Sequence, residues 1–163
     1  SLTFMIPLGL SSAVSVKVGM AYGAKDKTSL LEWSYSSLLT AAVIMITTAA
    51  MYTLMPHILL SFFTDDTTVL NYATGLLFFV ALFQVPDGLQ VTLYGILRGL
   101  GITRLPMVFA FISNWLIGIP CGHLLATKYN MGAAGYWAGL AIGLTCMCIT
   151  LSAIFIRRVR QAD

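Results

Sequence analysis

The chain has 163 residues, of which 58% are hydrophobic and 9% are charged, and its mean hydropathy is +0.88. Soluble domains carry about 25% charged residues and about 45–50% apolar ones, so this composition excludes an ordinary soluble domain. A net charge of +3 is too small for a nucleic-acid surface, and we expect no nucleic-acid partner. The composition is that of a polytopic membrane protein, whose partner is the lipid bilayer.

Five apolar runs lie between clusters of charged residues, and each is long enough to cross a bilayer, which requires about 20 residues of helix. A membrane barrel would instead show alternating segments of about ten residues. We therefore predict an all-α integral membrane protein, a five-helix transmembrane bundle in which residues 1–163 form a single transmembrane domain. The predicted spans cover residues 2–22, 33–63, 69–97, 105–127 and 132–156.

The loops predict an orientation, because short cytoplasmic loops are enriched in Lys and Arg. The basic residues cluster after the first, third and fifth spans, at Lys17, Lys25, Lys27, Arg98, Arg104, Arg157, Arg158 and Arg160. The loop after the second span holds Asp65 and Asp66, and the loop after the fourth holds only Lys128. We therefore predict a cytoplasmic C-terminus. The chain starts without an initiator Met, so we expect it to come from a longer protein.

Asp87 is the only acidic residue predicted inside a span, where an ionisable group costs roughly 2.5–3.5 kcal/mol and is by default a functional candidate. Pro86 lacks an N–H and Gly88 lacks a side chain, so we expect the helix to kink or open beside the carboxylate. Oxygen ligands there suit a sodium ion, and a buried carboxylate alone favours a proton. Asp87 is therefore the candidate coupling-cation site. The alternative is a structural carboxylate that is hydrogen-bonded to a neighbouring helix.

A polar stripe runs along the third span, because five side chains fall within about a third of the circumference of an ideal helix. They are Gln84, Asp87, Gln90, Tyr94 and Arg98. Such a stripe faces other helices or a water-filled cavity rather than lipid. The two glutamines and Tyr94 are therefore candidate cavity-lining residues, although the glutamines also suit bonds between helices. Asn114 of the fourth span and Phe83, one turn before Asp87, complete this candidate set.

Small residues recur at positions that favour close helix packing in membranes. They are Gly9, Ser12, Ser15 and Gly19 in the first span, and Gly132, Gly135, Gly139 and Gly143 in the last. The chain has no phosphate-binding loop, no H-E-x-x-H helix and no G-x-S-x-G elbow. We therefore predict a protein that is not an enzyme, has no cofactor, and takes energy for transport from an ion gradient or from a partner.

Several segments, in order, resemble the C-terminal lobe of the multidrug and toxic compound extrusion family, and most closely its NorM-like bacterial branch. Four of them are F-F-T-D-D-T-T-V at 62–69, F-Q-V-P-D-G-L-Q at 83–90, G-I-L-R-G-L-G-I-T-R at 95–104 and N-W-L-I-G-I-P-C-G at 114–122. Two more are I-P-L-G-L-S-S-A-V-S-V-K-V-G at 6–19 and G-A-A-G-Y-W-A-G-L at 132–140. The resemblance therefore extends over nearly the whole chain.

The resemblance implies a two-lobe, twelve-helix antiporter of the bacterial inner membrane that exports organic cations in exchange for sodium ions or protons. The chain is similar to helices eight to twelve, so its missing partners are the seventh helix and the N-terminal lobe of the same protein. Asp87 matches the family's tenth-helix acidic residue, which is implicated in binding the coupling cation. Phe83 stands where some members have Tyr, and Ile102 stands where Asp is common.

Two alternatives from other functional classes stay open. The first is a lipid-linked oligosaccharide flippase of related architecture, for which we would expect a more basic central cavity than this chain offers. The second is a non-transporting membrane subunit, in which Asp87 only holds helices together. Efflux with and without an imposed sodium gradient separates the second alternative from an exporter.

Overall fold

The protein forms five long helices in a computed structural model, which describes the backbone of residues 2–56 and 67–161 and most side chains between residues 5 and 160. The helices are α1 (Leu2–Gly23), α2 (Lys27–Leu54), α3 (Thr67–Gly99), α4 (Arg104–Lys128) and α5 (Ala133–Gln161). All five are long and apolar enough to cross a membrane, and the described ranges contain no β-strand. The predicted all-α, five-helix architecture is confirmed. The predicted loop with Asp65 and Asp66 lies outside the described residues.

Tight turns join α1 to α2, α3 to α4 and α4 to α5. After α1, Lys25 adopts a left-handed conformation with φ 54°, and the N–H of Asp26 donates to the carbonyl of Ala21 at 3.0 Å. Asp26 then caps α2, because its carboxylate accepts from the backbone N–H of Ser29 at 3.1 Å and from its hydroxyl at 2.6 Å. These bonds satisfy backbone groups that helix ends leave without partners.

The reversals place the ends of α1, α3 and α5 beside the starts of α2 and α4. We call this end of the bundle the basic end, because every Lys and Arg of the chain except Lys128 lies at or near it. Lys128 ends α4 and is at the opposite end. The charge asymmetry predicted from the sequence is therefore a property of one end of a folded bundle.

Helix α3 is the centre of the bundle and packs against α1, α2 and α5, whereas α4 packs mainly on α5. The largest apolar core lies in the half of the bundle nearer the basic end. Its buried side chains come from four helices, and they include Val18, Leu30, Leu97, Met147 and Leu151. Many large apolar side chains elsewhere are exposed, among them Leu39, Met107 and Ile149, as expected where lipid rather than water covers the surface.

Helices α1 and α3 approach closely through small residues. A methyl group added at Gly99 would lie 2.6 Å from the carbonyl oxygen of Ser15, and one at Gly95 would meet the backbone of Ser11. Gly9, by contrast, has no atom of the described residues within 4 Å of such a methyl group, so the close packing predicted for it is not found among them. Helix α1 is apolar on all sides, so residue spacing alone leaves its rotation about the helix axis undetermined.

The predicted opening at Pro86 is not found, because α3 is a continuous α-helix from Thr67 to Gly99. Proline removes a single N–H donor, and contacts with three neighbouring helices hold α3 together on either side of it. The irregular backbone lies in α4 instead. There, residues 112–118 form a π-helical segment between two α-helical ones, and the N–H of Ile119 bonds five residues back to the carbonyl of Asn114.

The π-helical segment packs on the glycines of α5. A methyl group at Gly139 would overlap the backbone of Gly122, and one at Gly143 would lie 3.0 Å from the carbonyl oxygen of Ser113. Gly135 makes a similar contact with the backbone of Ala126. The packing predicted for these three α5 glycines is therefore present, whereas Gly132 sits in the preceding turn with φ 55°.

Candidate functional site

Asp87 lies on the central helix, on the turn where α3 meets α2. Its neighbour Gly88 is buried, and a methyl group at Gly88 would overlap the side chain of Met45 on α2. The Asp87 side chain is half-buried. Among the described residues it forms no hydrogen bond and no ion pair. An ionisable group without a partner inside a membrane span is costly.

Gln84, one turn earlier, has a partner on another helix. Its side chain is buried, and its amide nitrogen donates to the hydroxyl of Thr48 on α2 at 3.4 Å. This is a bond between helices, the alternative function that the sequence left open for the glutamines. Thr48 was not identified from the sequence, because it is one of several α2 hydroxyls and nothing local distinguishes it.

Gln90, one turn later, differs from Gln84. Its side-chain oxygen Oε1 is buried and has no hydrogen-bond partner in the described part of the chain. Buried polar atoms without partners are rare and costly, and each calls for an explanation such as an absent ion or water. Asp87 and Gln90 are three residues apart on one helix, so their side chains are neighbours on its surface.

The remaining polar groups of the stripe bond to other helices. The Tyr94 hydroxyl donates to the carbonyl of Pro106 at the start of α4, at 2.8 Å. The Arg98 Nε donates to the hydroxyl of Ser15 on α1 at 3.3 Å. Gln84, Tyr94 and Arg98 thus bind α3 to α2, α4 and α1 in turn. Only Asp87 and Gln90 in this stripe are without partners among the described residues.

Phe83 faces α5, where its ring stacks on that of Trp137 with centroids 5.5 Å apart and planes at 16°. The sequence reasoning missed Trp137, although a Trp beside the small residues of G-Y-W-A-G is a local signal for an aromatic that packs against another helix. The stacked pair forms an aromatic wall one turn from Asp87.

Asn114 does not belong to the α3 stripe, because it lies in the π-helical segment of α4. Its side-chain oxygen faces α5, 3.4 Å from the position of a methyl group added at Gly143. π-Helical turns are rare and occur frequently at functional sites. The structure therefore places Asn114 at the α4–α5 contact and the other five candidates on α3, two of them with unsatisfied polar atoms.

The donor set at Asp87 suits a hard cation but is incomplete. A carboxylate and an amide oxygen are the oxygen ligands that such ions prefer, yet ions of this class take about six of them. The described residues contain no group of three or more His, Cys, Asp or Glu side chains that would hold a metal ion. A pocket of about 380 Å³ is present at the basic end, lined by residues such as Tyr22 and Val159, and none of the six candidates lines it.

Comparison with known proteins identifies the family. The sequence profile of the MatE family matches residues 1–124. The chain is 38% identical over 167 residues to the probable multidrug resistance protein NorM of Mesorhizobium japonicum, covering 99% of the chain and 36% of that protein. It is 36% identical over 162 residues to the protein of the same name from Deinococcus radiodurans, covering 96% of the chain and 36% of that protein.

Solved structures agree in fold. The crystal structure of the eukaryotic MATE transporter AtDTX14 matches with a TM-score of 0.87 and 25% identity, covering 98% of this chain and 37% of that one. An inward-facing MATE family transporter of the MOP superfamily matches with a TM-score of 0.86 and 16% identity, covering 99% of this chain and 37% of that one. The chain spans about a third of the length of the relatives that it matches. On the profile and the bacterial relatives together, the chain belongs to the MatE family.

Proposed function

We propose that this chain is part of a cation-coupled multidrug antiporter that exports organic cations in exchange for sodium ions or protons. Family membership and relatives named as multidrug resistance proteins support this assignment. In this proposal the seventh helix and the N-terminal lobe of the same protein supply the remaining walls of a central cavity. The protein is then a transporter and not an enzyme, and needs no cofactor besides its coupling ion.

The observation that carries the proposal is the state of Asp87. It is a half-buried carboxylate on the central 33-residue helix, and it has no hydrogen bond or ion pair to the residues that the structure describes. The neighbouring Oε1 of Gln90 is buried and also unpartnered. A bound cation supplies the positive charge that balances the Asp87 carboxylate, and it gives Oε1 of Gln90 a partner.

Coupling follows from competition between two ligands for one equilibrium. In the proposed cycle the ion binds one orientation of the transporter more tightly, and the organic cation favours the orientation that releases the ion. Each ligand then shifts the same equilibrium between outward-facing and inward-facing states by its difference in affinity. Alternating access of this type is common among transporters built from two similar halves.

We assign the other candidates by what they contact. Gln84 and Tyr94 position α3 against α2 and α4, because their polar atoms are already bonded there. The stacked pair of Phe83 and Trp137 offers aromatic faces, which attract flat organic cations through the ring quadrupole. Asn114 faces α5 from the π-helical segment of α4, and we assign it to that helix contact.

We place the protein in the bacterial inner membrane as a multi-pass protein with its C-terminus in the cytoplasm. The concentration of Lys and Arg at one end of the bundle supports this orientation, since short cytoplasmic loops are enriched in those residues. The named relatives are bacterial proteins. A cysteine-accessibility experiment with Lys25→Cys and Lys128→Cys in intact cells tests the orientation, because only the second should react with an impermeant reagent.

The direct test of the coupling site is Asp87→Asn in the full-length protein. At ion concentrations below saturation we expect ion-driven efflux of an organic cation dye to fall about tenfold or more, since loss of about 1.4 kcal/mol of binding free energy weakens ion affinity tenfold. Asp26→Asn is the matched control: it makes the same chemical change in a loop, and Asn caps helices as well as Asp does. Unchanged efflux in Asp87→Asn would remove the assignment.

A second arm separates an exporter from a non-transporting subunit. Vesicles that contain the full-length protein are loaded with dye and tested with a sodium gradient, with a proton gradient and with neither. An antiporter expels dye with at least one gradient and not without it. Equal dye loss in all three conditions would favour the structural function of Asp87.

A further inference from the structure

A pocket at the basic end has no part in the proposed transport site. It lies between the end of α1, the start of α2 and the last turn of α5, and has a volume of about 380 Å³. Its floor is apolar and formed by Ala21, Leu30 and Val159, of which the first two are buried. This volume is in the range of small-molecule sites, which measure about 300–1,000 Å³.

The rim of the pocket is polar and carries more positive than negative charge. Lys25, Lys27 and Asp26 line it, and the exposed Arg158 and Arg160 flank Val159 on α5. The Asp26 carboxylate accepts two hydrogen bonds from Ser29 in the first turn of α2, which hold it at the start of that helix and leave it charged. Lys25 and Lys27 together outweigh the single charge of Asp26, so an entering anion would meet a rim of net positive charge.

Lys25 occupies a backbone position that favours glycine. Its φ of 54° lies in the left-handed region, which is uncommon for residues other than glycine and asparagine. Glycine there would complete the same helix-ending turn without strain. The chain thus carries a positive side chain at the pocket rim despite a conformational cost.

The depth of the pocket matches the headgroup region of a bilayer. Tyr22 lines it and is 48% exposed, and nearby Trp33 is 44% exposed with the Lys17 ammonium 5.0 Å from its ring centroid. Exposed Tyr and Trp side chains collect at membrane–water interfaces, where Lys side chains extend to the headgroups. An apolar floor beneath a basic rim at this depth is complementary to a phospholipid with an anionic headgroup.

We propose that this pocket binds an anionic phospholipid of the adjacent leaflet, with the headgroup phosphate at Lys25 and Lys27 and the glycerol and first acyl carbons against Ala21, Leu30 and Val159. Basic pockets between transmembrane helices bind such headgroups elsewhere. The site is separate from Asp87 and does not depend on the transport assignment. It ties the ends of α1, α2 and α5 together through one lipid.

The test uses the full-length protein in detergent and soluble short-chain lipids. Dihexanoyl phosphatidylglycerol is titrated against dihexanoyl phosphatidylcholine, and the thermal unfolding midpoint and the apparent Kd are measured. We expect the midpoint to rise with phosphatidylglycerol and not with phosphatidylcholine. Equal shifts with both lipids would overturn the proposal. The absence of a shift with either lipid would also overturn it, because another part of the full-length protein would then fill the pocket.

Three variants locate the site. Lys25→Asn removes the charge but keeps a residue that tolerates the left-handed conformation, and we expect about fivefold weaker binding, the effect of one basic residue near an anionic surface. Lys25→Arg should bind like the wild type. Lys128→Asn, at the opposite end of the bundle, is the matched control and should also bind like the wild type. Equal weakening in Lys25→Asn and Lys128→Asn would refute the assignment.

A final arm distinguishes a lipid from a free phosphate compound. Glycerol 3-phosphate carries the anionic group without acyl chains and cannot contact the apolar floor. We expect it to bind at least tenfold more weakly than phosphatidylglycerol, since about two buried methylene groups supply that difference. Equal affinity would show that the pocket takes soluble anions and would contradict a lipid site.

Discussion

The two halves of the bundle are held together in different ways. Near the basic end, side chains from α1, α2, α3 and α5 interdigitate in an apolar core around Leu97 and Met147. In the far half, which contains Asp87 and the opposite ends of the helices, α4 and α5 touch through backbone at Gly122 and Gly139. The far half also holds the unpartnered Asp87 and the orphan oxygen of Gln90.

This difference separates a half that packs through many side chains from a half that packs through close backbone contacts. Lipid provides no hydrophobic drive for helix association, so close packing must supply the stability that burial supplies in water. The core near the basic end does this with many side chains. The far half does it with a few close glycine contacts.

The largest expected effect on stability comes from disrupting the glycine contact between α4 and α5 in the far half. Gly139→Ala should cost about 3 kcal/mol of stability, because the added methyl group overlaps backbone atoms of Gly122 that cannot rotate away. Gly9→Ala makes the same change where nothing lies within 4 Å, and should stabilise its helix by up to about 1 kcal/mol. Thermal unfolding of the full-length protein in detergent measures both. Equal shifts of the same sign would contradict the close contact.

The second effect tests the core near the basic end. Leu97→Ala truncates a fully buried side chain and should lower the free energy of unfolding by about 2 kcal/mol. This value is at the low end for such changes, because lipid is as apolar as the core and the main contribution is the cavity that the truncation leaves. Leu82→Ala alters a residue of the same helix that is 56% exposed and should cost much less. A similar loss in both variants would show that the core is not better packed than the lipid-facing surface.

A third, smaller effect tests the link between α3 and α5. Phe83→Leu removes the stack on Trp137 and should cost about 1 kcal/mol beyond the lost area. Phe111→Leu is the control, since that ring stacks on Trp115 of its own helix and joins no two helices. If Phe111→Leu destabilises the protein as much as Phe83→Leu does, the aromatic pair is not a link between helices.

The smallest effect concerns pH at the basic end. Hydrogen bonds from the Ser29 hydroxyl and backbone N–H lower the pKa of Asp26 below its ordinary value of 3.8. A carboxyl whose pKa is lowered by folding stabilises the protein fully above its unfolded pKa, and this contribution is lost as the pH falls through the folded pKa. The difference in unfolding midpoint between wild type and Ser29→Ala should therefore be constant above about pH 5 and shrink below pH 3.8.

The control for this pH effect is Ser36→Ala, which alters an exposed serine of the same helix that bonds no carboxylate. Its difference from the wild type should not vary across the same pH range. A pH-independent difference for Ser29→Ala would show that the hydroxyl does not stabilise the ionised form of Asp26.

The architecture was predictable because it depends on composition along the chain. Apolar runs of membrane-spanning length separated by charged residues define five helices whatever their packing, since a helix satisfies its own backbone hydrogen bonds in lipid. Asp87 was also identifiable, because a single acidic residue in such a run stands out without any coordinates. Whether it has a partner was not, since that depends on which helices meet.

The details that tertiary structure decided are those of rotation and contact. Pro86 indicated an irregular α3, yet the π-helical segment formed in α4, where helix packing against the α5 glycines fixes the backbone. The stripe that looked uniform in sequence divides into Gln84 and Tyr94, which bond other helices, and Asp87 and Gln90, which do not. Local sequence determines a helix and its polar face, but only the approach of neighbouring helices determines which polar atoms form hydrogen bonds and which have no partner among the described residues.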